Sequence, residues 1–516
     1  MRKPINIALA LTLAAPVSAL AQAPAGPEQG RGAATIRLSV DEAVKMALDQ
    51  NVDLKADRLD PQIGDTRVAV ASGAFRPSLS STVLRNNQLQ PPASLLAPVA
   101  TRTDVTTSTV GIGQMLPRFG TSYNFGWTTA HTSSDSFLNS YNPLLQSGLT
   151  LGVSQPLVKN FLVDSSRTQL QIARTNRDIA GTRLRDSEIR TASGVKSAYW
   201  NLVSARANVD ARQTAVDLAQ ELARVNKAKV DVGQSPPLDE VSAQAEVASD
   251  EEQLIIAQTN ARVAEDRLRM LLYDPTDRSI WSIAIEPVDA PPTATVAVDI
   301  DAAISKALEQ RTDITRAKKD VDNADSNARL ASNQRMPDVR LTASYTANGL
   351  GGTEVLRTGG FPGTIIGPGA ITPFGTVLDQ LFGRDYPTWT AGVSVSYPIG
   401  HSADEATYAR TRLERAQADE RVKSAEGKVI EDVRTAGWNI EMNARRIQTT
   451  RAARDLAEQR LDAERKRFEV GISTSFLVIQ AQRDLSQATT NELAAVLAYD
   501  LSLVDFDTVQ QAPPAR

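Results

Sequence analysis

Residues 195–232 read VKSAYWNLVSARANVDARQTAVDLAQELARVNKAKVDV, and within them Val195, Leu202, Val209, Val216, Ala223 and Val230 fall seven apart. An apolar residue at every seventh position is the seam of a helix packed lengthwise against another helix. No proline interrupts the chain from about Ser165 to Val232, so the pattern predicts one helix of roughly 65 residues, about 100 Å long at a rise of about 1.5 Å per residue. Ala198, Ala205 and Ala219 lie beside the seam, where small side chains let helices approach closely. After Gly233 the chain turns and a second seam runs through Val247, Leu254, Ala261 and Leu268, which makes a long antiparallel hairpin.

That hairpin is written twice. At a spacing of 238, Ala198, Trp200, Asn201, Val232, Gly233 and Ser235 return as Ala436, Trp438, Asn439, Val470, Gly471 and Ser473. The seam returns as Val433, Ile440, Ile447, Arg454, Leu461 and Phe468, with one break at Arg454. Upstream, Asp41, Ala43, Ala47, Leu48, Gln50, Asp53 and Pro77 recur 260 residues later as Asp301, Ala303, Ala307, Leu308, Gln310, Asp313 and Pro337. Each half therefore reads helix, strands, long helix, turn, long helix. The expected division is a first repeat over 36–285, a Pro-rich linker over 286–297, a second repeat over 298–508 and a tail over 509–516.

After Pro77 and Pro337 the period changes from helical to two. Trp389, Ala391, Val393, Val395 and Tyr397 alternate with small polar residues, as do Tyr123, Phe125 and Trp127, and Leu149, Leu151 and Val153. One apolar face and one small polar face is the alternation of an outer-membrane strand and equally of a half-buried sheet in a soluble sandwich. Few strands, set beside helices too long for a globular domain in an exported chain without cysteine, favour the former. Two strands per half are expected, near 78–86 and 148–156 and near 340–346 and 388–397, so that three chains supply twelve. A further hairpin over Thr106–Leu116 and Thr121–His131 has no counterpart in the second half, and Gly349–Pro373 reads as an exposed loop. Four strands cannot close a barrel and would leave unsatisfied edges in lipid, so the pattern calls for oligomerisation.

Arg2 and Lys3 precede an apolar stretch from Ile5 to Ala19, and small residues then offer cleavage after Ala21 or Ala23, so residues 1–21 read as an export signal. The chain has no cysteine, which removes disulfides, thiolate chemistry and a lipidated N-terminal cysteine from consideration. Only His131 and His401 are present, too few for an imidazole metal centre or a histidine-based triad, and no cofactor is expected. The net charge of −4 becomes about −6 without the signal, against a nucleic-acid partner. After the signal no stretch is apolar enough for a transmembrane helix.

The duplicated order resembles the TolC family of outer-membrane efflux proteins. It does so through the openings Val40-Asp41-Glu42-Ala43 and Ile300-Asp301-Ala302-Ala303, the Pro77 and Pro337 junctions, Ser154-Gln155-Pro156-Leu157, and the Val-Gly turns at 232–233 and 470–471. The resemblance implies a mainly α fold with β: a homotrimer in which long helical hairpins form a periplasmic α-barrel and the strands share one β-barrel in outer-membrane lipid of a Gram-negative cell. It implies a passive conduit of a tripartite efflux or type I secretion system, with no enzymatic activity. Its partners would be a periplasmic adaptor and an inner-membrane pump of RND or ABC type. Val232, Gly233, Ser235, Val470, Gly471 and Ile472 would then meet the adaptor, and Asp239, Glu240, Ser473 and Gln480 would line the periplasmic entrance. Leu477 and Gln480 stand where family members carry aspartates, and Phe468 lacks a hydroxyl, so weak cation selectivity and a latch reduced to Asp239 and Ser473 are expected. The competing reading is a periplasmic coiled-coil adaptor or scaffold, which the internal duplication disfavours.

Overall fold

The computed structural model describes residues 35–92, 99–291, 296–360, 363–397, 399 and 402–514. The export signal, His401 and part of the linker lie outside the described residues. The first half runs β1 (Thr35–Leu38), α1 (Val40–Gln50), α2 (Val52–Asp57), α3 (Leu59–Ser72), β2 (Ser78–Gln90), β3 (Thr101–Met115), β4 (Ser122–Ser134), β5 (Tyr141–Pro156), α4 (Ser165–Asp231), α5 (Pro237–Leu272) and β6 (Ala284–Pro287). The second runs α6 (Ile300–Gln310), α7 (Thr312–Gln334), β7 (Asp338–Thr358), β8 (Thr364–Thr372), α8 (Phe374–Gly383), β9 (Tyr386–Ser396), α9 (Ala403–Glu469) and α10 (Ser475–Val509).

Both long helices, α4 and α9, have 67 residues. Each is started by a side-chain cap, Asp164 accepting from the Arg167 amide and Ser402 from the Glu405 amide, which satisfies a first-turn N–H that has no partner in the helix. At every level the chain is four helices wide. Next to the sheet α4 and α9 pack with α3 and α7; farther away they pack with α5 and α10. The core is centred where the two levels meet. Ala43, Ala47, Val195, Leu202 and Leu268 are buried together in the first half, and Ala303, Ala307, Val429 and Val433 in the second. Each large apolar side chain fully removed from water there contributes about 1.5–3 kcal/mol.

The buried row on α4 does not keep a spacing of seven. It passes through Val195, Leu202 and Val216 and then shifts to Ala219, Leu222 and Asn226, leaving Ala223 and Val230 half-buried. The row turns there toward the second hairpin, where Leu222 packs with Leu461, Val478 and Ile479 and Asn226 bonds Ser475 of α10. The break at Arg454 is a polar tie: its guanidinium reaches Glu492 of α10 at 3.0 Å, beside Arg451 at 3.3 Å from the same carboxylate.

The strand count departs from the expected four. β2, β3, β4, β5, β7 and β9 form one continuous antiparallel sheet in that order, with β8 on the outer end of β7. The unmatched hairpin is therefore two full members of the sheet, pairing with β2 on one side and β5 on the other. Alternation is weak along Thr103-Asp104-Val105-Thr106-Thr107-Ser108, so the outer half of β3 has no period-two signature. The turn between β3 and β4 is anchored: Phe119 stacks on Phe161 at 5.1 Å, the Phe119 carbonyl accepts from Gln155 Nε2 at 3.0 Å, and Gly120 has a φ of 66° in a space that a Cβ would overfill.

Gly349–Pro373 is likewise structured. It forms the outer part of β7 and all of β8, and α8 follows directly. Gly349 and Gly351 have no side chains, which lets Val377 of α8 rest on the strand, while Gln380 Oε1 accepts from the Leu350 amide at 2.9 Å.

Candidate functional site

The sheet carries one surface of interest. Successive residues point to opposite faces, and register continues this across all six strands. Leu79, Ile112, Phe125, Leu151, Tyr345 and Trp389 belong to one face, and Val110, Trp127, Leu149, Ala343, Val393 and Val395 extend it. Most of these large apolar side chains are exposed. The other face is small and hydroxylated. Thr109 lies opposite Thr128, Thr150 bonds Thr346 at 3.0 Å, and Asn348 donates to Thr388 at 3.3 Å. A wall apolar on one side and polar on the other suits hydrocarbon outside and water inside. Its two outer strands, β2 and β9, are exposed along their whole length and each pairs on one side only.

The second surface is the tip formed by the turns between α4 and α5 and between α9 and α10. Both turns close identically. The Gly233 amide donates to the Val230 carbonyl and the Gln234 amide to Lys229, while Gly471 donates to Phe468 and Ile472 to Arg467. This is the Schellman pairing, and it needs a left-handed residue after the helix. Gly233 at φ 72° and Gly471 at φ 77° supply it without side-chain strain. The turns present bare apolar groups: Val232 is 68 % exposed, Val470 69 % and Ile472 79 %, with Leu238 and Phe476 similarly open.

Behind the turns the two hairpins of one chain are tied by polar contacts. Asn226, wholly buried, donates to Ser475 Oγ at 2.6 Å and to the Asp239 carbonyl at 3.3 Å. Lys229 Nζ donates to the Phe468 carbonyl at 3.1 Å and lies 3.6 Å above the Phe468 ring. Farther up, Arg483 grips the nearly buried Glu246 through two nitrogens, and Arg212 donates to Ser486 at 2.9 Å. Glu246 and the burial of its neighbour act together on Asp250: desolvation first, and Glu246 second, raise its carboxyl above the usual range.

The expected entrance residues are at this end, in other partnerships. Ser473 donates to Glu464 at 2.8 Å, so the Asp239–Ser473 latch is not made within the chain. Asp239 is held through its backbone; Glu240 accepts from Gln244, and Gln480 donates to Asp484, which also accepts from Arg460. Phe468 has no hydroxyl to offer and is a buried ring under Lys229. Asn226, Lys229, Glu246 and Arg483 were missed by the sequence reading. Truncating Asn226→Ala strands Ser475 and the Asp239 carbonyl and is expected to cost about 1–3 kcal/mol locally. Amide exchange over 226–240 and 470–480 should quicken by roughly tenfold to a hundredfold with the sheet unchanged; equal rates in the variant would remove Asn226 from the tie.

Among the described residues no helix is long and apolar enough to cross a membrane, and no acidic or histidine cluster is arranged to hold a metal ion. The family described as outer membrane efflux protein matches residues 96–272 and 303–508, well over half of the chain. Outer membrane efflux protein BepC of Brucella suis is 23% identical over 456 residues, covering 88% of this chain and 81% of that protein. Outer membrane protein TolC of Vibrio cholerae is 23% identical over 318 residues, 60% of this chain and 65% of that one. The CmeC outer membrane channel of Campylobacter jejuni has the same fold, with a TM-score of 0.64 at 15% identity over 92% of this chain and 85% of its own. With its long helical hairpins, its two-faced sheet and these matches, the chain belongs to the outer membrane efflux protein family, whose members are outer-membrane channels and not enzymes.

Proposed function

We propose that three copies of this chain form a passive duct from the periplasm to the exterior, the outer-membrane component of a tripartite efflux or type I secretion system. The observation that carries the reading is the unfinished lateral edge of the protomer. β2 and β9 each keep a full row of unpaired backbone groups, which lipid cannot satisfy and a neighbouring strand can. The helices below them end in the same way: α5 exposes Val241, Ile255 and Val263 on one flank, and α9 exposes Leu413, Trp438 and Leu456 on the other. Lateral association of copies covers strands and helices at once.

The helical part then extends into the periplasm, and its apolar tip, with Val232, Val470 and Ile472 foremost, suits a periplasmic adaptor protein that joins the duct to an inner-membrane pump of RND or ABC type. Asp239 and Glu240 from each copy would lend the entrance a modest negative potential. The test is planar-bilayer conductance of the detergent-extracted protein alongside cross-linking to count its subunits. Long-lived channels from a three-chain particle are expected. A monomer that stays soluble without detergent and never conducts would leave a periplasmic scaffold as the function.

A further inference from the structure

We infer that the membrane barrel closed by this chain has eighteen strands, six from each of three copies, with β2 of one copy paired antiparallel to β9 of the next. The inference rests on the trimeric reading above and adds to it the identity of the seam and the width of the exit.

Three observations on different parts of the fold support it. The first is direction. β2, β3, β4, β5, β7 and β9 alternate strictly, so β2 leaves the helical end and β9 returns to it. Adjacent copies therefore bring opposite directions together, as a closed antiparallel barrel requires. The second is facing. Val110 and Ile112 of β3 and Phe125 and Trp127 of β4 lie on the same face as Leu151 of β5 and Trp389 of β9, and they are about as open as Leu151 of β5 and Tyr345 of β7. A flap folded over the rim would have no reason to continue the lipid-facing band, nor to have its turn anchored by Phe161 and Gln155 at the helical end of the sheet.

The third is circumference. Twelve helices, four from each copy, at about 9–10 Å spacing need a ring of roughly 110–120 Å. Eighteen strands about 4.8 Å apart and tilted by about 40° close a ring of roughly 110 Å, whereas twelve at that tilt close only about 75 Å. The additional hairpin thus lets the sheet meet the helical tunnel edge to edge at an ordinary strand tilt. Because diameter grows with strand number, the exit is about half again as wide as a twelve-stranded one at the same tilt. The polar face of the added strands, with Thr109, Gly111, Gly126 and Thr128, leaves that width open. Selection of what passes then falls to the tip and the pump and not to the barrel.

The chain has no cysteine of its own, so paired cysteines read the seam directly. Full-length protein carrying Thr82→Cys or Ser80→Cys on β2 with Thr390→Cys or Gly392→Cys on β9 is oxidised in the membrane and run without reductant. Covalent ladders up to three chains are expected from at least one pairing. Thr82→Cys with Thr150→Cys on β5 should give no bridge, since three intervening strand spacings exceed the reach of a disulfide. Electron cryo-microscopy of the unmodified channel should count eighteen strands. A bridge between Thr82→Cys and Thr150→Cys within one chain, or a count of twelve, would overturn the eighteen-stranded barrel and leave the trimeric duct standing. A particle mass other than three chains by light scattering would overturn both.

Discussion

Replacing Arg311 with methionine is expected to cost about 3–5 kcal/mol, the penalty for removing one member of a buried ionic network and stranding the others. The side chain has no exposure to solvent. Its Nε and Nη2 meet the two oxygens of Asp313 at 3.0 and 2.7 Å, and Nη1 donates to Asp432 at 3.1 Å and to the Val509 carbonyl at 3.3 Å. Burial pulls the guanidinium pKa down, and the two carboxylates offset that and leave it raised, so the charge is retained. One residue thereby joins the α6–α7 junction to α9 and to the end of α10. Methionine keeps most of the volume and none of the donors, and leaves two carboxylates facing each other. Amide exchange in α6 and the last turn of α10 should accelerate at least a hundredfold, since each 1.4 kcal/mol is about a factor of ten. Adding Asp313→Asn and Asp432→Asn should recover much of the loss, because the stranded charges are then gone. Wild-type exchange in the single variant would show that the network does not hold this junction.

The duplication reappears in this contact. Asn51 stands 260 residues before Arg311, and Leu271 stands 238 before Val509; Asn51 Nδ2 donates to the Leu271 carbonyl at 3.1 Å, as Arg311 does to Val509. Both offsets are visible in the letters, so the repeat makes the two contacts equivalent, while the bonds themselves are seen only in the structure. The long helices were legible because an apolar period over many turns is a strong signal, and Gly233 and Gly471 because a helix end needs a residue tolerant of positive φ.

The strands were legible only where alternation was clean. β9 alternates Trp, Ala, Val and Val with Thr, Gly and Ser, but the outer part of β3 places threonine and serine on both faces, and the outer part of β7 is glycine because α8 rests on it. Whether the β3–β4 hairpin enters the sheet depends on pairing, and pairing leaves no trace in the period. The tip illustrates a subtler failure. Ala198, Ala205 and Ala219 were read as a row of small residues, and the same row at intervals of seven includes Arg212 and Asn226. Those two polar interruptions are the residues that cross to Ser486 and Ser475 of α10. A polar residue in an otherwise apolar seam commonly sets register, so the signal was present. The expected latch instead followed residues outside the seam.

Asp500→Asn is expected to stabilise the protein at alkaline pH and to do little in acid. Asp500 lies on α10, only 3 % exposed, and its Oδ1 has no hydrogen-bond partner among the described residues. Burial pushes its carboxyl pKa up to about 7, against about 3.9 in an unfolded chain. Between those values the folded protein holds a proton that the unfolded chain has released, so stability falls as pH rises. The contribution is fully present below about pH 4, declines by about 1.4 kcal/mol per unit, and is lost above pH 7, for a total on the order of 4 kcal/mol per chain. Asparagine has the same shape and no charge to desolvate, so it removes the decline. Thermal unfolding in detergent at pH 4.5 and pH 8 reads the difference. The variant should gain only about a quarter of the full effect at the lower pH and melt several degrees higher at the upper. An equal gain at both values would assign the effect to packing and not to ionisation, and a lower melting point at pH 8 would mean that the ionised carboxylate has a partner in the assembled channel that a single chain does not contain.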